Sequence, residues 1–144
     1  MVLVSACLAG LPCRYNGSAK TDRECSKMVA GGEAIVFCPE VASGLPTPRT
    51  PCEIVGGDGG DVLDGRAKVI DVNGRDCTEF FVLGAKKALE FVKINNINAA
   101  YLKSLSPSCG CGTIYDGSFS GVKIEGDGVL AALLKRNGIE VFSR

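Results

Sequence analysis

Apolar residues in this chain come in short unbroken runs rather than in alternation. MVLV at 1–4, AIVF at 34–37 and IEVF at 139–142 read as strands buried on both faces, the pattern of a parallel sheet. NAAYLKSL at 98–105 is a further strand candidate. Between these runs the period lengthens. Asp22 is placed to cap a helix over RECSKMVA, which stops at Gly31 and Gly32. From Thr78 onward Phe80, Phe81, Gly84, Ala88 and Leu89 recur at helical steps, with Lys86, Lys87 and Glu90 interleaved. Asp127 precedes a helix over GVLAALLKRNG that Gly138 closes. Residues 42–66 carry three of the six prolines and many glycines, which predicts a long ordered loop with one short strand, and Asn73-Gly74 marks a tight turn.

Strands alternating with helices predict an α/β fold: a single three-layer α/β/α domain over 1–144, with a mostly parallel, flavodoxin- or Rossmann-like sheet of about four or five strands. Right-handed crossovers favour the strand order 2-1-3-4. A chain of 144 residues is long enough to bury a real core.

Charge and composition narrow the function. Lysine plus arginine equal aspartate plus glutamate, at 16 each, so no basic stripe marks a nucleic-acid partner, although a small uncharged base remains a suitable ligand. No apolar run approaches the ~18 residues of a membrane span. MVLVSACLAG lacks a basic segment before its apolar run, so neither a signal peptide nor a membrane partner is expected, and the expected location is cytoplasmic. Eight cysteines in that compartment point to metal or catalysis rather than to disulfides, with burial as small hydrophobes accounting for about half of them. The absence of histidine excludes a Ser-His-Asp triad, a histidine-activated cysteine and an imidazole-bound zinc. Any metal would be held mainly by thiolates, which select zinc, copper(I) or iron–sulfur clusters.

The cysteines fall in a pattern on the predicted sheet. Cys7 closes the first strand, Cys38 closes the second, and Cys109 lies on the loop leaving the third. Their common edge is the carboxyl edge at the switch point, where open α/β sheets bind ligands. Neighbouring strands are about 4.8 Å apart, so three such ends can converge on a multi-atom centre. Gly110 and Gly112 would let backbone close around it. Three ligands leave one position open, as catalytic metal sites do. Glu40, two residues after Cys38, and Ser106, three before Cys109, bring an acid and a hydroxyl to the same edge; a solvated loop glutamate and a turn serine are the plainer alternatives. Arg14 and Arg49 either neutralise an anionic cofactor or lie on the surface. Cys13, Cys25, Cys52 and Cys77 read as structural, and Cys111 is either an extra ligand or points away. Spacing alone leaves a metal or cluster level with buried structural thiols.

VSACLAGLPCRYNG at 4–17, CPEVASGLPTPRTPCEI at 38–54, LKSLSPSCGCGTIYDGSF at 102–119 and GDGVLAALLKRNGIEV at 126–141 resemble the thiouracil desulfidases, a bacterial family formerly catalogued as a domain of unknown function. The resemblance implies a 4Fe–4S cluster held by Cys7, Cys38 and Cys109, with one iron left open for a substrate sulfur. It also implies that Glu40 and Ser106 handle protons and orient a small-molecule thiopyrimidine. The implied reaction is non-redox hydrolysis of a C=S bond, giving hydrosulfide and the oxo-base. Two other readings compete: a non-catalytic zinc or iron–sulfur binding or sensing module, and a metal-free redox protein using Cys109 and Cys111.

Overall fold

A computed structural model describes residues 1–144. Along the chain run β1 (Val2–Ser5), a 3-10 turn (Ala6–Ala9), α1 (Arg23–Ala30), β2 (Ala34–Phe37), α2 (Pro39–Ala42), β3 (Cys52–Val55), α3 (Gly59–Leu63), β4 (Lys68–Asp71), α4 (Thr78–Ile94), β5 (Ala99–Leu102), β6 (Thr113–Tyr115), β7 (Lys123–Glu125), α5 (Val129–Arg136) and β8 (Glu140–Ser143). The main sheet has the order β2-β1-β5-β8, and every pairing in it is parallel. Its four strands are thus arranged 2-1-3-4, as the apolar runs predict. No helix is long and apolar enough to cross a membrane.

Successive residues of β1 serve opposite faces, as a pleated strand requires. Leu3 belongs to the 19-residue core shared with α4 and α5, and Val4 to a five-residue cluster containing Cys25 of α1. The α4–α5 side therefore carries the main core. On α4 the buried positions are Phe81, Gly84, Ala85, Ala88 and Val92, a stripe slightly rotated from the predicted one, so that Phe80 faces outward. Asp22 caps α1 as expected, accepting the Cys25 amide at 2.9 Å.

The structure corrects one expectation and adds two features. Residues 42–66 contain β3 and α3 as well as loop, and β3 pairs with β4 in an antiparallel hairpin outside the main sheet. A second small hairpin, β6–β7, follows the cysteine turn. Asp127 does not cap α5: it accepts the Gly112 amide at 2.8 Å and pairs with Lys135 at 3.0 Å. Main-chain carbonyls of the cysteine turn meet the amides that open α5 instead: Val129 donates to Pro107 and Leu130 to Ser108, each at 2.8 Å.

Pro39 does more than end a strand. It supplies the first residue of α2, where its missing N–H costs nothing, and so starts the short helix that bears Glu40. This helix lies against α4 at Gly84, where an added Cβ would sit 2.2 Å from the Pro39 carbonyl oxygen. Only glycine permits that approach. Gly84→Ala is expected to destabilise the protein by about 1–3 kcal/mol, through forced displacement of α2. Chemical denaturation checks this, and an unchanged midpoint would contradict it.

Candidate active site

The carboxyl ends of β1, β2 and β5 open onto a cavity of about 380 Å³. Cys7, Cys38 and Cys109 all line it, together with Glu40 and Ser106. Each thiol is delivered by the element after a strand: Cys7 by the 3-10 turn following β1, Cys38 by the junction of β2 with α2, and Cys109 by the turn after β5. Leu105 takes a left-handed conformation, φ 65°, just where the chain leaves β5 and turns into Ser106. That conformation costs a side-chain-bearing residue about 1–2 kcal/mol. The walls come from the two hairpins, joined by Glu53 of β3, which accepts the Gly117 and Phe119 amides at 3.0 and 3.2 Å.

The sulfurs differ electrostatically. A hydrogen bond from Cys13 holds the Cys7 thiol below its ordinary range, against the opposing effect of burial. The contact with Cys13, then burial, holds Cys38 well above it. Burial pushes Cys109 up to about 12, opposed by the hydroxyl of Ser5. Cys7, Cys38 and Cys109 also lie within mutual electrostatic reach. Arg14 and Lys103 line the same cavity and offset negative charge there. No three cysteine, aspartate or glutamate side chains converge closely enough to hold a single metal ion. A polynuclear iron–sulfur cluster takes soft thiolate donors. Three thiols on separate strand ends, with no imidazole in the chain, fit that donor set.

Two cysteines are placed differently from the sequence reading. Cys13 lines the cavity and contacts both Cys7 and Cys38. Cys52 lines it from β3, next to Cys77. Cys111 resolves the other way: its Sγ lies 3.8 Å from the Val141 carbonyl, near Lys135, and does not line the cavity. Cys109 and Cys111 thus face different surroundings and are not apposed as a redox pair. Gly110 is explained by the turn itself, since a Cβ there would meet the Ser106 carbonyl oxygen at 2.7 Å.

Glu40 is the most constrained polar group at the site. Its Oε1 accepts from Arg49 Nε at 3.1 Å and its Oε2 from the Ser108 hydroxyl at 2.9 Å. The Arg49 side chain is only 7% exposed and that of Glu40 16%. Arg49 also donates to the carbonyls of Cys13 and Pro46 and to Thr47 Oγ1, at 2.9, 3.2 and 3.1 Å. One guanidinium thereby ties the loop bearing Cys13 and the Pro-rich loop to Glu40. Of the two readings open to Arg49, the surface one is excluded.

With this geometry the chain can be set beside known proteins. A family model described as 2-thiouracil desulfurase matches residues 2–144, and the chain belongs to that family. It is similar to the uncharacterized protein YbbK of Bacillus subtilis (strain 168), with 51% identity over 143 residues, covering 99% of this chain and 95% of that protein. Among solved structures it is similar to the 4Fe–4S-dependent thiouracil desulfidase TudS, with a TM-score of 0.87 and 45% identity, covering 99% of this chain and 89% of the other.

Arg49→Ala strands a largely buried carboxylate and is expected to cost about 3 kcal/mol of stability. Arg49→Lys should recover only part, because an ammonium does not reproduce the planar fork. Denaturation of the three proteins checks this; an alanine variant within about 0.5 kcal/mol of the parent, the usual range for an inert surface change, would contradict it.

Proposed function

We propose that this protein is a 4Fe–4S-dependent desulfidase that hydrolyses the C=S bond of thiouracil or a related thiopyrimidine. The observation that carries the reading is the shared cavity in which three strand-end thiols face a clamped carboxylate. Membership of the 2-thiouracil desulfurase family supports it, as does likeness to a structure named for that cofactor and activity. We assign Cys7, Cys38 and Cys109 as the cluster ligands. A cluster so held supplies a thiophilic Lewis acid with one open position for the thiocarbonyl sulfur.

The chain's own residues supply the rest. Water adds at the thiocarbonyl carbon, the C–S bond breaks, and the products are the oxo-base and hydrogen sulfide, with no net electron transfer. Glu40 takes the proton lost by the water and returns it as sulfur departs. Both its oxygens already accept hydrogen bonds, which holds it as a base in one orientation. Ser106, whose hydroxyl is bonded within its own turn and to Ser108, orients the substrate as part of the cavity wall. A cavity of about 380 Å³ suits a single-ring base. The reading treats residues 1–144 as one desulfidase domain and places it in the cytoplasm, where eight unpaired thiols remain reduced.

The test is anaerobic reconstitution followed by assay of sulfide and uracil formed from thiouracil. Glu40→Gln should retain its iron and lose about 10²–10⁴-fold in kcat. Fully loaded protein that releases no sulfide from any thiopyrimidine would end the reading, and a Glu40→Gln enzyme of undiminished kcat would end the assignment of the base.

A further inference from the structure

Ser108 has no assigned role, yet at 1% exposure it is the most buried polar residue of the chain. Its hydroxyl has three polar neighbours: Glu40 Oε2 at 2.9 Å, Ser106 Oγ at 2.9 Å and Cys109 Sγ at 3.6 Å. Counting protons and lone pairs fixes how they are used. Ser106 Oγ accepts two amides, from Ser108 at 3.2 Å and Cys109 at 3.1 Å, which occupies both its lone pairs. Its one proton therefore goes to Ser108. A carboxylate can only accept, so the Ser108 proton goes to Glu40, leaving the sulfur contact as close approach. The donors run in one direction, from Ser106 through Ser108 to Glu40, and Arg49 closes the far end.

The backbone under Ser108 is equally fixed. Its carbonyl accepts the Leu130 and Ala131 amides at 2.8 and 3.2 Å. A Cβ on Gly128 would stand 2.6 Å from that same carbonyl, so the start of α5 presses directly on it. A serine serving only its own turn would be redundant here, because Ser106 already satisfies the turn's amides. The Ser108–Glu40 bond instead joins the cysteine turn to α2, 68 positions apart in sequence.

We infer that Ser108 is a positioning residue of the desulfuration reaction: its hydroxyl, opposite Arg49, fixes the Glu40 carboxylate in one orientation and couples it to Ser106, so that both face the thiols as a unit. This rests on the desulfidase reading and adds to it a residue that does not itself line the cavity.

Two measurements test it together. In cluster-free protein, S108A should shift the denaturation midpoint, and the same change in a Glu40→Ala background should shift it less, because the bond to the carboxylate is already gone. In reconstituted protein, S108A should keep its full iron content while kcat falls about 10–100-fold, the usual cost of losing an orienting partner, with KM nearly unchanged. S108T, which keeps the hydroxyl, should restore most of kcat. Equal shifts in the two backgrounds, an undiminished kcat, or equal losses in S108A and S108T would each overturn the inference. An S108A protein that does not fold, or that loses its iron, assigns the residue to architecture and overturns it as well. Loaded parent protein inert toward every thiopyrimidine removes the desulfidase reading and this role with it, whereas the background comparison reports the bond in either case.

Discussion

Strand β1 is hydrogen-bonded to β2 on one side and β5 on the other, all three parallel. Because parallel strands point the same way, whatever follows each of them emerges at one edge. Their spacing of about 4.8 Å then brings three loops within reach of a single centre. Cys7, Cys38 and Cys109 occupy those loops. The buried, apolar pairing of β1 is thus what assembles a polar and sulfur-rich site from segments far apart in sequence. Leu3 and Val4, both at most 1% exposed, anchor that strand to the two faces of the sheet.

Such a site gathers polar groups in a poorly hydrated place, and every one of them needs a partner. The structure meets that demand fully: no buried side-chain nitrogen or oxygen lacks a hydrogen bond. Arg49 and Ser108 bracket Glu40 from opposite sides, one a cation and one a neutral donor. The carboxylate is held without being neutralised by a second acid. The turn that carries Cys109 is braced by α5, whose opening amides take its carbonyls. Rigidity at the thiols and satisfaction of the helix terminus are the same set of bonds.

Much of this was legible in the sequence. The runs MVLV and AIVF are apolar without alternation because both faces of those strands are covered, and that reading led to the strand order and to thiols at the strand ends. What escaped the pattern did so for physical reasons. The strands of β6–β7 are three residues long and β7 is wholly exposed, so no burial period marks them. The β3–β4 hairpin lies within and beside a stretch rich in glycine and proline, whose composition masks short strands. Asp127 matches an N-cap by type, but main-chain carbonyls had already taken that place. Ser108 and Arg49 act through tertiary contacts to Glu40, invisible to any local pattern. Cys13 shares its loop with Cys7, yet only the folded chain shows it beside both Cys7 and Cys38 rather than apart from them.

That position of Cys13 sharpens the central claim, which is that the cluster is held by three thiolates while a fourth nearby thiol is not a ligand. The most direct measurement is iron and acid-labile sulfide per chain, with the visible spectrum, in single serine variants of Cys7, Cys13, Cys38 and Cys109 reconstituted without oxygen. The account predicts about four irons and four sulfides for the parent and for Cys13→Ser, and loss of the cluster in the other three. A Cys13→Ser protein that loses its cluster, or a full cluster retained after any of the other changes, would contradict it.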